Sequence, residues 1–515
     1  MNPDSEPPMM DAGKADPQSR LTARRLGINT QHEAVVFMHE DCHVCRAEGF
    51  TAHTRIRIDN GSHSIIATLY QVTSDILHHN EVGLSDAAWR RLKLQDGATV
   101  TVSHPDPLES LSMVRGKVYG RRLEPESMMT IISDVTAGRY SDIHLSSFIT
   151  ACSARPLDRR ETIGLTRAMI DIGERLSWGV HPVVDKHCVG GLPGNRTTPI
   201  VVAIVAACGL VMPKTSSRAI TSPSGTADTM EVLAPVDLDL AAMRRVVERE
   251  GGCIVWGGAV HLSPADDTLI RVERALDLDS EGQLVASVLS KKIAAGSSHV
   301  VLDLPIGPTA KVRSAEAARL LSQDLVEISG VFDLEARVIV TDGSQPVGRG
   351  IGPALEAREV LEVLENAPNA PSDLRGRALL LAGTLLEMGG KAASGAGYAL
   401  AETTLSNGQA IAKFERICEA QGGMRKPPTS MHRHTIVTQQ AGRIVAVDNR
   451  RLSKVAKLAG APDSKAAGVE LHVALGDDVD RHQPLYTVHA ETPGELAYAL
   501  SYAKANDDIY RVTAP

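Results

Sequence analysis

The sequence predicts a multidomain α/β protein, and three observations lead there. Its 515 residues exceed what a single hydrophobic core serves and suggest about three or four domains. The middle of the chain runs through strand–loop–helix units, the first carrying a glycine-rich loop in DKHCVGGLPGNRTT. Both flanks alternate short β-rich runs with turns.

Residues 1–20 combine Pro, Asp, Glu and Ser with no apolar segment and read as a disordered tail, not a signal peptide. Residues 21–105 form a β-rich, barrel-like domain from AVVFMH, RIRIDNGSHSIIATLYQV and ATVTVSHP. Asn60-Gly61 marks a hairpin there, and LSDAAWRRLKL a helix. Within it, HEDCHVCRAEGFTAH places Cys42 and Cys45 near His39, His43 and His53. That is half a zinc site, a redox pair, or a loop with free thiols.

From Leu123 to Trp178 the apolar period becomes helical, with Ser141 and Asp142 as caps and an acidic-then-basic helix entry over Leu157 to Arg160. HPVVDKH is a strand feeding the glycine loop. VMPKTSS and CIVWG follow as strands, then a helical segment over 264–294. VVLDLPIG (300–307) and EARVIVTDG are further strands, with helices over 314–324 and 352–366 and more helices up to about Gly423. Residues 434–515 turn β-rich again, with Gly-Asp turns.

The glycine loop carries the chemistry. Gly190, Gly191 and Gly194, with Pro193 among them, let a backbone wrap an anion closely. Thr197 or Thr198 is expected to cap a helix built on IVVAIVAACGLVM, whose free N–H groups and positive dipole end then face the loop. Lys186, His187, Arg196 and Arg218 add cationic or protonatable groups. The loop is neither a Walker A motif nor G-x-G-x-x-G, and a plain turn between a strand and a core helix is the alternative.

With 54 basic against 62 acidic residues and 3% aromatics, no nucleic-acid partner is expected. The longest uncharged apolar stretch, 199–213, is too short to span a bilayer, so no membrane partner is expected and a cytoplasmic location is. Seven scattered cysteines suit reduced thiols, with Cys152, Cys208 and Cys253 as small core residues.

DKHCVGGLPGNRTT followed by SSRAITSPSGTAD resembles the phosphate-binding core of thymidine and pyrimidine-nucleoside phosphorylases. It is closer still to AMP phosphorylases and the related thymidine phosphorylases with an extended N-terminus. SVLSKK (287–292), VLDLPIGPTAKV (301–312) and TDGSQPVGRGIG (341–352) extend the resemblance, in order, over roughly 104–510. The resemblance implies a discontinuous all-α lobe (106–178 and 264–294) that closes on an α/β lobe with a central sheet (179–263 and 295–433). It also implies an N-terminal domain serving assembly and a C-terminal α+β barrel-sandwich domain over 434–515, lipoyl-like but without a lysine at the hairpin tip.

It implies a homodimer or higher homo-oligomer that takes a nucleoside or nucleotide and inorganic phosphate, with no cofactor and no metal. The implied phosphate ligands are Lys186, Gly190, Gly191, Thr198, Ser216 and Thr226. The implied nucleoside or nucleotide contacts are Gly191, Ser217, Arg218, Ala219, Ile220, Thr221, Ser222, Thr226, Ser287, Lys291 and Lys311, with Asp279 as proton donor to the base and Asp277 nearby to raise its pKa.

Two departures stand out. Cys188 replaces a serine of thymidine phosphorylases, and the arginine that reads the pyrimidine falls on Val272, between Arg271 and Arg274. Thymidine phosphorolysis, AMP or other nucleoside-monophosphate phosphorolysis, and a non-catalytic nucleotide or phosphate sensor remain the three readings.

Overall fold

The computed structural model describes residues 19–219, 222–260, 262–276, 278 and 280–513. Contacts divide it into two compact units: the chain through Arg121 with Ser133–Phe148, and Arg122–Ile132 with Ile149 onward.

In the first unit six strands close a barrel in the order β1-β5-β2-β4-β3-β6. They are β1 (Arg20–Arg25), β2 (Val35–His39), β3 (Arg55–Asp59), β4 (Ser64–Val72), β5 (Glu81–Leu84) and β6 (Thr99–Ser103). Two-residue alternation sends Leu21 and Ala23, Ile56 and Ile58, and Val100 and Val102 into the interior. The hairpin at Asn60-Gly61 forms between β3 and β4, with Asp59 opposite Ser64. Gly61 takes φ +90°, and the Asn60 side-chain oxygen accepts from the amides of Ser62 and His63. Helix α1 (His43–Glu48) follows β2, and α2 (Asp86–Leu92) is capped by Ser85, whose hydroxyl accepts from Ala88 N at 3.3 Å. Helix α3 (Ser110–Val118) completes this unit's own elements. Helices α4 (Pro125–Thr136) and α5 (Asp142–Ala154) each have residues in both units.

The second unit begins its own helices with α6 (Arg159–Ile172), entered by a capping box between Asp158 and Glu161. Its central sheet is parallel. Strands β7 (Val184–Cys188), β8 (Met212–Ser216), β9 (Gly252–Trp256), β10 (His299–Ile306) and β11 (Glu335–Asp342) form a β11-β10-β7 sheet and a β8-β9 pair. A parallel bridge between Val183 and Val211 links the two. The chain adds β8 and β9 on one side of β7, then returns to add β10 on the other. The loop after β7 therefore lies where strand order reverses, the usual ligand crevice of an open α/β sheet.

Helix α7 (Thr197–Ala207) is apolar on every side and buried from Thr197 through Ala206, so it is the centre of the core, not a surface helix. It ends five residues before the expected Met212: Gly209 turns the chain at φ +77° and Met212 already opens β8. The helices that follow are α8 (Thr226–Leu233), α9 (Leu240–Glu250), the short α10 (Gly257–Val260), α11 (Pro264–Leu276), α12 (Glu281–Ala294) and α13 (Ala315–Gly330).

A two-residue strand β12 (Gly350–Ile351) leads into α14 (Pro353–Leu364), followed by α15 (Ser372–Met388), α16 (Gly397–Ser406) and α17 (Gln409–Gln421). The C-terminal segment has β13 (His432–Val437), β14 (Gly442–Val447), α18 (Asn449–Leu458), β15 (Gly468–Leu471), β16 (Asp478–Val479), β17 (Pro484–Ala490), α19 (Pro493–Ala505) and β18 (Tyr510–Thr513). One of its sheets runs β12-β15-β17-β13 and the other β16-β14-β18. Pairing of β12 with β15 stitches the start of α14 to the C-terminal sheet.

Candidate functional site

The loop from Cys188 to Arg196 needs its glycines. Gly190, Gly191 and Gly194 have φ of +98°, +80° and +73°. A Cβ on Gly191 would stand 2.7 Å from the Lys311 amide nitrogen, and one on Gly194 would stand 2.2 Å from the Val347 carbonyl oxygen. At the end of this loop Arg196, not Thr197 or Thr198, occupies the position before α7, and no side chain caps the helix. The expected threonine cap is therefore not made. Both threonines lie in the first turn, and their hydroxyls accept from Lys186 Nζ at 2.7 Å (Thr197) and 3.4 Å (Thr198). Lys186 is 1% exposed, and among the described residues no carboxylate lies within 4.0 Å of its ammonium. Burial pulls its pKa down, opposed in part by the neighbouring Asp303 carboxylate.

The second wall is the segment from Ser216, at the end of β8, to Thr226, the first residue of α8. Asp228 fastens it by accepting from the amides of Ala219 (2.7 Å) and Gly225 (2.9 Å). Arg218 pairs with Glu231 at 2.8 Å, Asp228 at 3.3 Å and Asp237 at 3.5 Å, and its guanidinium lies 4.9 Å over the Trp256 ring. Ser217 is exposed, and the Ser222 hydroxyl donates to the Ser224 carbonyl. Arg196 links both walls: Nη1 donates to Thr226 Oγ1 (2.9 Å), Nη2 to the Ser224 carbonyl (2.8 Å), and Nε to Glu356 Oε2 (2.5 Å) on α14. Glu356 also accepts from Gly352 N and Thr229 Oγ1.

Beneath the loop, fully buried Asp185 meets Lys292 of α12 at 2.8 Å and Lys214 of β8 at 3.6 Å. Burial, then the charges of Lys292, Lys214, Lys291 and Lys186, hold His187 well below the usual histidine range, so it is neutral at pH 7. Burial pushes the Cys188 thiol up to about 12, leaving it protonated, and its sulfur receives the Asn195 amide at 3.2 Å. On α12, Lys291 donates to Ser287 Oγ (2.9 Å) and pairs with Asp266 of α11 (2.6 Å). Val272, also on α11, is buried.

The structure thus brings Lys186, Gly190, Gly191, Thr198 and Thr226 to the N-termini of α7 and α8, with Ser216 at the end of the adjacent strand. Ser287 and Lys291 sit together on α12, which the Lys292–Asp185 pair ties to the sheet. Lys311 passes its backbone behind Gly191. Asp279, Ile220 and Thr221, together with Asp277, lie outside the described residues. Sequence reasoning missed Glu356, Asp228, Asp266 and the Asp185–Lys292 pair. Asp228 alone left a local signal, an acidic third residue in a helix that starts after glycine.

In the barrel, Cys42 precedes α1, and both Cys42 and Cys45 are buried free thiols. Hydrogen bonding to Cys45 lowers the Cys42 pKa to about 6, while that bond and burial raise Cys45. Among the described residues no group of three or more His, Cys, Asp or Glu is placed to hold a metal, and no helix is long and apolar enough to cross a membrane.

Comparison with known proteins gives the class first. Residues 112–173 match the glycosyl transferase family's helical bundle domain and 180–411 its a/b domain; 443–509 match the pyrimidine nucleoside phosphorylase C-terminal domain. Anthranilate phosphoribosyltransferase from Thermus thermophilus shares the fold, with a TM-score of 0.50 at 21% identity over 60% of this chain and 98% of that one. The protein is a multidomain pentosyltransferase. The "Putative thymidine phosphorylase" of Chelativorans sp. (strain BNC1) is 62% identical over 96% of this chain and 98% of its own, and that of Legionella pneumophila (strain Corby) 58% identical over 95% of each. The chain belongs to the thymidine/pyrimidine-nucleoside phosphorylase family.

Proposed function

We propose that this protein is a phosphorolytic enzyme of the thymidine phosphorylase type, converting thymidine and orthophosphate to thymine and 2-deoxyribose 1-phosphate. One observation carries the reading: Lys186 is a buried ammonium whose side-chain partners are two hydroxyls, set at the open N-terminus of α7. An unneutralised charge in that position is costly unless an anion completes it, and helix amides point the same way. Orthophosphate held by Lys186, the amides of Gly190 and Gly191, and the hydroxyls of Thr198, Ser216 and Thr226 is aligned for attack on the anomeric carbon. A C–O bond forms as the C–N bond breaks. The electron pair leaves with the base, which takes its proton from Asp279. Ser287 and Lys291 read the base edge, and Asp266 fixes the lysine's direction. No cofactor enters this reaction.

A second reading, AMP or nucleoside-monophosphate phosphorolysis giving ribose 1,5-bisphosphate, is favoured by two features. Val272 is buried where the pyrimidine-reading arginine is expected, and Lys311 adjoins Gly191. Arg218 is already committed to three carboxylates and is the weaker candidate for a 5′-phosphate. Assaying phosphate-dependent base release from thymidine, other nucleosides and AMP separates the two. Binding without release in every case would leave the sensor. Lys186→Ala is expected to reduce turnover about 10²-fold or more; wild-type activity in that variant would remove the cradle.

A further inference from the structure

A cavity of about 260 Å³ lies away from the phosphate loop, between α14 and the C-terminal sheet. Its lining is strongly polar. Arg358 comes from α14 and Arg433 from β13; burial, and then the like charge of Arg433, lower the Arg358 pKa. Arg358 donates to the Pro428 carbonyl. Among the described residues neither arginine has a carboxylate within 4.0 Å, in contrast to Arg349 on the rim, which pairs with Glu359 and Glu362. Glu470 and Glu362 act on Arg358 from farther off and only partly offset the like charge, so two arginines without a directly paired carboxylate face one cavity, and the planar fork of arginine suits phosphoryl oxygens. The same cavity offers acceptors. Glu362 and Glu470 line it, and so does Glu359, whose Oε2 is buried with no hydrogen-bond partner among the described residues. Burial lifts the Glu359 carboxyl to about 7, which lessens its opposition to an anion.

We infer that this cavity is a second ligand site for a sugar phosphate, with Arg358 and Arg433 on the phosphoryl group and the glutamates on its hydroxyls. The volume lies below the range of about 300–1,000 Å³ typical for drug-sized ligands, which suits a pentose phosphate better than a nucleotide. The site does not depend on which nucleoside reacts at the first one.

Its placement also bears on the phosphate loop. Helix α14 carries Glu356, which holds Arg196, within one turn of Arg358 and Glu359. Glu359 accepts from Arg349 N at 2.8 Å, and two residues earlier Val347 N donates to the Pro193 carbonyl at 3.1 Å. A ligand ordering Glu359 therefore orders a segment that touches the loop directly.

The test is equilibrium dialysis of the full chain with ribose 5-phosphate, using wild type, Lys186→Ala, Arg433→Gln and Arg358→Gln/Arg433→Gln. The expected result is one bound equivalent retained in Lys186→Ala and lost in the double variant, with at least a tenfold weakening in Arg433→Gln alone. Because Arg433 is exposed, that single variant separates loss of binding from misfolding. Slowed amide exchange over 347–352 on adding ribose 5-phosphate to Lys186→Ala is expected as well. Absence of binding in Lys186→Ala overturns the inference, as does an equivalent that survives the double variant. Orthophosphate binding at this cavity as tightly as ribose 5-phosphate would overturn the sugar-phosphate assignment. Wild-type turnover in Lys186→Ala would overturn the catalytic reading and leave this one standing.

Discussion

Arg196→Met removes the one cation that, among the described residues, contacts Glu356, a carboxylate 1% exposed that otherwise receives one amide and one hydroxyl. Taking one partner from a buried ion pair costs about 3–5 kcal/mol, because the other charge stays behind without compensation. In a domain of this size each kcal/mol shifts the melting temperature by about 2–4 °C, so the loss is roughly 6–20 °C. The pH dependence gives a sharper test. Burial already raises the Glu356 pKa, and Arg196 is the main influence opposing it. Without the guanidinium the folded-state value moves further above the unfolded one, and the native state holds a proton that the unfolded state releases. The deficit is then small below the unfolded value near 4.5 and grows as pH rises towards the folded one. Thermal melts at pH 5 and pH 8 should show the larger drop at pH 8, and Arg196→Met/Glu356→Gln should recover most of it. The KM for phosphate should rise in the single variant, because Thr226 and the Ser224 carbonyl lose their donor. A deficit equal at both pH values, or one below about 1 kcal/mol, would refute the buried-pair argument.

Three further outcomes are expected. Gly191→Ala, at φ +80° with its Cβ 2.7 Å from Lys311 N, should cost about 1–3 kcal/mol of local strain and lower kcat/KM for phosphate about tenfold or more, read by steady-state kinetics. Lys292→Met leaves buried Asp185, among the described residues, with Lys214 at 3.6 Å as its remaining cation beside the Lys186 amide, so it should lower the melting temperature and raise the nucleoside KM by loosening α12; a silent substitution would show that the pair does not hold the helix. Asp279→Asn should reduce kcat by about 10²–10⁴ with little change in KM, whereas equal losses would make it a binding residue.

Much of the site was legible because it is local. Three glycines within five residues after a strand announce a loop held at positive φ, and each of them takes such a value. The uninterrupted apolar run beyond Thr198 announces a helix buried all round. The alternation in residues 55–72 announces the hairpin, and the acidic-then-basic entry over Leu157 to Arg160 announces a helix start. Where local rules failed, a distant group competed. The threonines at the start of α7 are good caps by type, yet the ammonium of Lys186 takes their hydroxyls. Arg218 reads as a free cation beside the loop, yet Glu231 and Asp237, brought in by α8 and the turn after it, already neutralise it.

By itself, then, the sequence determined the kind of site: which backbone positions must be glycine, which helix must be interior, and which lysine and hydroxyls cluster within a dozen residues. Tertiary structure alone decided the wiring. Arg196 meets Glu356 across 160 positions, and Lys292 reaches Asp185 from α12, far along the chain. Backbone preference and periodicity depend on a few neighbours and are written in every short window. A buried charge finds its partner only after the strands have registered and the helices have packed, and no local pattern records which carboxylate will be there.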